Sequence, residues 1–317
     1  LAIDPKPPLD RDPSAAPESQ PKVSVIVVSR NQADEMRRTL SSLASAAKAS
    51  AVDVVVVDLA STDGGATLDQ EFPYARYLRS PRHFGWTRAV NQGTRTATGE
   101  YICLCPAGIE FEPDTIAKLV ERLETDSSAL AVAALAVDAT GVPATRVYNE
   151  PDVAQFELFF KTGQLGKPLA IDVTQESIAA EYLVNTPLLL RRRSLAGMNY
   201  LDERYGHFWA DAEIFFQVRR ANKRAILLPG VRVKGAPVFK AISEKLDRAS
   251  ALLSADAAHG GAQYLGKHRG FLAGLSFRIR AALWALGRVL TLKSLGAQAA
   301  RLLAIVTLQK IDGTQGR

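Results

Sequence analysis

The stretch VSVIVVSRNQADEMRRTLSSLASAAKASAVDVVVVD, residues 23–58, decides the fold. Its two ends, VSVIVV (23–28) and VDVVVVD (52–58), are β-branched runs apolar on both faces. Such runs suit strands of a parallel sheet covered on both sides better than half-exposed strands. Between them Met36, Leu40, Leu43 and Ala47 recur at helical spacing after the polar turn SRNQAD. The alternation continues with a helical stretch near 87–98, the strand YICLC (101–105), and a helix after Pro113 carrying Ile116, Leu119, Val120 and Leu123 on one side. The predicted class is α/β, a Rossmann-like, doubly wound, mostly parallel sheet.

A chain of 317 residues with 47% apolar and 23% charged content can bury a large core, which excludes disorder as the overall state. Residues 1–20, rich in Pro, Asp and Ser with no apolar period, read as a flexible linker or remnant outside the fold. No long uncharged apolar run and no short leader with a cleavage site is visible, so a cytoplasmic location is expected. Cys103 and Cys105, two apart in a strand, point to one face and read as small core residues rather than a disulfide or metal pair. The net charge of +6 is local. Residues 257–311 hold no Asp or Glu but eight of the 39 basic residues, leaving 31 basic against 33 acidic elsewhere. A nearly neutral body speaks against nucleic acid as partner, and the basic tail for a polyanionic surface.

In an open α/β sheet, ligands sit beyond the carboxyl ends of the strands. The residues there are Ser29, Arg30 and Asn31; Asp58, Ser61, Thr62 and Asp63; and Pro106 to Glu110. The segments VSVIVVSRNQ, VVVVDLASTDGG, FGWTRAVNQGTRTATGEYICL, IEFEPDTIAKLV, LLLRRRSLAGMNYLDERY and FWADAEIFFQVRRANKRAILLPGVRV follow one another across about residues 22–240. In this order they resemble family-two inverting glycosyltransferases of the GT-A fold, most of all bacterial rhamnosyltransferase-like members acting on lipid-linked or polysaccharide acceptors. No GxGxxG follows the first strand, which lowers a dinucleotide-dependent dehydrogenase. The resemblance implies a GT-A domain over 21–240 and leaves 241–317 as a basic amphipathic helical tail.

The resemblance further implies a nucleotide-sugar donor of the UDP or dTDP type. Ser29 and Asn31 would line the nucleotide end, with Ser61 and Asp63 beside them, and Asp58 would accept the imide N–H of the base, a task for a group that only accepts. Asp58 equally suits a strand end satisfying turn amides, and Ser61, Thr62 and Asp63 suit turn formation. Asn91 and Gly93 match positions behind the sugar pocket, although Asn91 also suits a packed core amide. An inverting displacement needs a general base, and the family's acidic pair falls on Ala210 and Asp211, making Asp211 the candidate. An Asp there also favours a helix start. Glu213 reads as a solvated or structural acid, and His207 with Trp209 as an acceptor platform or as core.

Aligned without gaps between GEY (99–101) and EPD (112–114), the family's metal-binding acids fall on Pro106, Ala107 and Gly108, and its later histidine on Gly235. None offers a side-chain ligand, and Glu110 reads as an ordinary loop acid, so a divalent metal is doubtful. Arg82, His83 and Arg191 to Arg193 are candidates to face the diphosphate instead, or they are solvated ends of elements. In the tail, Leu272, Leu275, Ile279, Leu283, Leu286 and Leu290 form one helical stripe with Arg278, Arg280 and Arg288 away from it, the pattern of a helix lying in an anionic membrane surface. The expectation is a transferase peripheral to the inner face of the cell membrane, acting on a saccharide or lipid-linked acceptor. The alternatives are a catalytically reduced module and a membrane-docking scaffold.

Overall fold

The computed structural model describes residues 22–48, 52–236 and 247–309. The expected linker at 1–20 and the basic residue Lys310 lie outside them. In chain order the elements are β1 (Val23–Ser29), α1 (Ala33–Lys48), β2 (Val52–Leu59), α2 (Leu68–Glu71), β3 (Arg76–Ser80), α3 (Trp86–Thr96), β4 (Tyr101–Pro106), β5 (Glu110–Phe111), α4 (Thr115–Thr125), β6 (Ala129–Val137) and β7 (Arg146–Tyr148). They continue with α5 (Val153–Thr162), β8 (Ile178–Ala180), β9 (Tyr182–Val184), β10 (Leu188–Arg191), α6 (Arg192–Gly197), α7 (Ala210–Arg220), β11 (Arg224–Lys234), α8 (Arg248–His268), α9 (Phe271–Leu290) and α10 (Leu295–Thr307).

The main sheet runs β3-β2-β1-β4-β10-β6-β11-β5, with β8 also on β11 and a separate β7-β9 pair. The four strands from β3 to β4 are parallel, as the apolar runs predict. After β4 the sheet is mixed: β10 is antiparallel to both neighbours, and β6 and β11 are again parallel. Because successive side chains on a strand point to opposite faces, β1 and β2 feed two cores. Val25, Val27, Val54 and Val56 meet Met36, Leu40 and Leu43 of α1 on one face. Ile26, Val55 and Val57 meet α3 and a large aromatic cluster on the other. Helix α3 lies so close that a Cβ at Gly93 would stand 2.6 Å from Ile26 Cγ2. Cys103 and Cys105 are free and buried in the first core, as expected of small core residues.

The amino end of the parallel strands is closed by Asp53, which accepts from Ser24 Oγ at 2.7 Å, Arg76 Nε at 3.0 Å and Thr98 Oγ1 at 3.1 Å. Helix α8, which the sequence grouped with the tail, packs into the larger core through Ala255, Ala257, Ala258, Tyr264 and Leu265. Gly260 leaves room for Trp209, whose Cδ1 would be 2.7 Å from an added Cβ. Helix α9 turns Gly274, Phe277, Ala281 and Ala285 inward and leaves the leucine stripe outside, with Leu272 76% and Leu290 73% exposed. Among the described residues no helix is long and apolar enough to cross a membrane.

Candidate active site

At the carboxyl ends of β1 and β2, Ser29 and Asp58 are register partners. Asp58 is buried, and its Oδ2 accepts the Ser61 N–H at 3.2 Å. Its other oxygen takes no hydrogen bond among the described residues, so an acceptor is left for a ligand donor. The neighbouring polar groups are spent on one another. Asn31, in the left-handed region at φ 52°, accepts the Thr62 N–H on Oδ1 at 2.7 Å, while Ser61 Oγ accepts the Asn31 N–H at 2.9 Å. Asp63 accepts from Ala33 N and Gly65 N, both at 2.9 Å. Asn31, Ser61 and Asp63 thus lock two loops together, the turn-forming alternative, and Asp58 keeps the open valence.

A second wall comes from the loops before α3 and α7, which touch. Thr87 N–H donates to Gly206 O at 3.2 Å, and a Cβ at Gly85, whose φ is +88°, would stand 2.7 Å from that same oxygen. The approach requires glycine. His83 is buried, its Nδ1 accepts the Gly85 N–H at 3.3 Å, and its ring meets that of His207 edge-on at 5.4 Å and 86°. Burial, together with the nearby Arg30 charge, brings His83 down to about 4. His207, depressed by burial, His83 and Arg30, falls to about 3. Both rings are neutral near pH 7.

The loop into α7 is fixed from behind by α8. Asp256 Oδ2 accepts the His207 N–H at 2.7 Å, and Trp209 Nε1 donates to Ala257 O at 2.9 Å. Trp209 itself caps α7 at φ 76°, a conformation that a bulky side chain adopts only where its surroundings impose it. Two residues later, in the first turn of α7, Asp211 Oδ2 accepts the Tyr182 O–H at 2.8 Å. Burial pushes the Asp211 carboxyl above the usual carboxylate range, opposed by that phenol and by first-turn N–H groups, which favour the charged form. Asp211 sits inside the helix, with Trp209 in the cap position, so the N-cap alternative does not describe it.

Glu213, two residues on, is buried and fully engaged. Tyr205 O–H donates at 3.0 Å, Gln217 Nε2 at 2.7 Å and Lys267 Nζ at 2.8 Å, and His268 Nε2 lies at 2.6 Å. It is a structural acid and not a solvated one.

Two further expectations require correction. Arg191 does not reach the donor side: β10 runs antiparallel to β4, so Arg191 pairs with Tyr101 at the amino end of the parallel strands. There its Nη1 donates to Tyr101 Oη at 2.9 Å and its Nη2 to Leu123 O at 3.0 Å. Arg192 is bound nearby to Ala97 O at 2.7 Å. Asn91 is the packed amide, donating to Leu201 O at 2.8 Å and Glu203 Oε1 at 3.0 Å and accepting from Leu201 N at 3.0 Å. It borders a 460 Å³ cleft with Glu213, Gln217 and Lys267, on the side of α7 turned away from Asp211.

Beyond β4, Gly108 and Gly235 stand against each other: a Cβ on Gly235 would be 2.2 Å from Gly108 O. No side chain fits at Gly235 as the backbone stands. Glu110 lies 3.8 Å from Arg38 Nε. Among the described residues no three His, Cys, Asp or Glu side chains gather in a way that could hold a metal ion. The Tyr182 contact had no sequence signal, since 29 residues separate it from Asp211 and neither residue predicts the other.

Residues 24–179 match the family described as glycosyl transferase family 2. Asp211 lies beyond that match. The succinoglycan biosynthesis protein ExoO of Rhizobium meliloti (strain 1021) is 29% identical over 137 residues, 43% of this chain and 39% of that protein. The dolichol-phosphate mannosyltransferase of Pyrococcus furiosus is 26% identical over 134 residues, 41% of this chain and 36% of that protein. The matched part therefore spans well under half the length of these curated relatives. Among solved structures, GalNAc-T7 with UDP, GalNAc and Mn²⁺ superposes with a TM-score of 0.53 at 15% identity, covering 82% of this chain and 56% of that one. With the parallel β3-β2-β1-β4 sheet and the family match together, this chain carries a glycosyl transferase family 2 domain on the GT-A fold.

Proposed function

We propose that this chain transfers a sugar from a UDP or dTDP sugar to a saccharide or lipid-linked acceptor with inversion, Asp211 acting as general base. The observation that carries this is the Asp211 carboxyl in the first turn of α7, oriented by Tyr182 and made more basic by burial. The acceptor hydroxyl oxygen attacks the anomeric carbon, its proton passes to Asp211, and the bond from that carbon to the diphosphate oxygen breaks, releasing the nucleoside diphosphate. Asp58 supports the donor assignment, because its open oxygen suits the imide N–H of uracil or thymine.

The fold relative carries Mn²⁺ in its structure. Here Pro106, Ala107, Gly108 and Gly235 supply no side-chain ligand, and the described residues do not fit a tightly held divalent ion. The proposed reaction is therefore independent of a resident metal. Turnover of UDP and dTDP sugars in EDTA tests this. Activity that survives EDTA and is lost in Asp211→Asn supports it; activation by Mn²⁺ from a negligible level overturns the metal-free part. Nucleotide binding without turnover under either condition would instead favour a catalytically reduced module, a reading that the missing acids also support.

The proposed location is the inner face of the cell membrane. Helices α9 and α10 expose Leu272, Ile279, Leu283, Leu290, Leu303 and Val306 in a segment without acids, with Arg288 exposed beside them and Arg280 half-exposed and paired with Glu157. Flotation with anionic vesicles should carry the chain upward at low salt and release it at high salt. Equal flotation with neutral vesicles, or after Leu272, Ile279 and Leu283 are changed to Ser, would remove the tail from the proposal.

A further inference from the structure

We infer that Arg30, with the imidazole of His83 beside it, holds the donor diphosphate in the role that a metal ion would otherwise fill. This rests on the transferase proposal and names the residues that meet its substrate. Strand β1 is where the sheet order reverses, with β2 on one side and β4 on the other. Val28 is paired with both Val57 and Pro106, so Arg30, two residues later, stands in the crevice between the Asp58 loop and the acid-free Pro106–Gly108 loop. That crevice is where ligands of open α/β sheets bind.

Arg30 is half-buried and lies within electrostatic reach of both His83 and His207, which approach it from the loops before α3 and α7. A guanidinium can grip two phosphate oxygens at once. His83 adds a directed donor. Its Nδ1 accepts the Gly85 N–H, so the single proton of the neutral ring resides on Nε2. Preorganised donors of this kind stabilise charge developing on a leaving diphosphate without any metal.

The test is calorimetry of the full chain in EDTA with UDP and with UMP, which differ only in the second phosphate. Wild type should bind UDP at least about tenfold more tightly than UMP, since a phosphate gripped by charged donors is worth that much. Arg30→Gln should bring the two within about twofold while UMP affinity stays, Arg30→Lys should keep part of the difference, and His83→Gln should lower it by a few-fold. Asp58→Ala should weaken both nucleotides alike. Wild type that binds both nucleotides equally in EDTA overturns the inference without any variant, as does a folded Arg30→Gln that keeps the gap. Wild type that binds neither nucleotide defeats the transferase proposal, and this inference with it.

Discussion

The two faces of helix α7 carry acids two residues apart that the fold treats in opposite ways. Asp211 has one side-chain partner, Tyr182 of β9, and burial raises its pKa. Glu213 faces the C-terminal helices with four partners. Burial alone would raise its pKa, but Lys267, Gln217 and His268 together bring it below the ordinary value. A carboxylate that must pick up a proton cannot be saturated with donors; one that anchors a helix must be. The difference fits the proposed chemistry at the first acid and makes the second constructional. Helix α8 belongs to the body for the same reason: it reaches Glu213 through Lys267 and His268 and steadies the loop into α7 through Asp256.

The largest expected effect that separates the two is on turnover. Asp211→Asn should lower it by roughly two to four orders of magnitude with donor affinity nearly unchanged, because a general base acts on the acceptor. Stability moves the other way. A carboxyl with a raised folded pKa contributes stability below that pKa and loses it as pH rises, so at neutral pH ionised Asp211 is a cost that Asn removes. The melting temperature of Asp211→Asn at pH 7 should hold or rise. A fall in step with activity would make Asp211 a structural acid like its neighbour.

Glu213→Gln should do the reverse. Its folded pKa is depressed, so its contribution is present above the unfolded value of about 4.5 and fades as pH falls through the folded one. Lys267 is partly exposed, so screening trims the cost of an uncompensated partner to about 2 to 3 kcal/mol. That is a melting-temperature loss of about 3 to 5 °C for a chain of this size. Nucleotide affinity should survive. Scanning calorimetry at pH 7 and pH 4 checks the sign: the wild-type advantage over Glu213→Gln should shrink at the lower pH, and an advantage that is unchanged would show that shape, not charge, is what Glu213 supplies.

Much of this architecture was legible in the sequence, for reasons that particular residues make plain. The parallel strands were readable because burial on both faces leaves β-branched runs such as VSVIVV, and α1 because Met36, Leu40 and Leu43 must all meet one face of the sheet. What failed was placement that depends on strand direction. Arg191 ends a strand, and only the antiparallel pairing of β10 with β4 puts it at the amino end of the parallel strands. Asn91 illustrates a second limit, since an amide's partners at Leu201 and Glu203 lie more than a hundred residues away. The division of labour between Asp211 and Glu213 was equally hidden, because it is set by Tyr182 and Lys267, distant in sequence from both.

A smaller effect is expected at the nucleotide end. Asp58→Ala removes the acceptor that remains open at the end of β2, and one charge-assisted hydrogen bond is worth about 1.5 to 3 kcal/mol. UDP and dTDP should weaken by roughly 10- to 150-fold, by the same arithmetic, while Asp63→Ala should act through stability, since both its oxygens already accept backbone N–H groups. Equal loss of nucleotide affinity in the two variants at unchanged melting temperature would contradict the distinction between an open and a spent carboxylate.

The smallest effect belongs to Tyr182→Phe, and it tests how the base is tuned. The phenol donates to Asp211 Oδ2 at 2.8 Å and so favours the charged carboxylate, while burial favours the neutral acid. Removing the hydroxyl leaves burial with one fewer opponent, so the Asp211 pKa rises further. The base must be deprotonated to act, and therefore the acidic limb of turnover against pH should move to higher pH. On that limb Tyr182→Phe should be slower by up to about tenfold, the worth of one hydrogen bond to a charged group partly offset by relaxation. Well above the limb the ionised base is present in both proteins and the rates should converge to within a few-fold, the remainder reflecting lost orientation. A limb that moves to lower pH would mean that the phenol does not stabilise the carboxylate that takes the proton. A variant equally slow at every pH would make Tyr182 a positioning group alone, leaving the basicity of Asp211 to burial and the first-turn N–H groups.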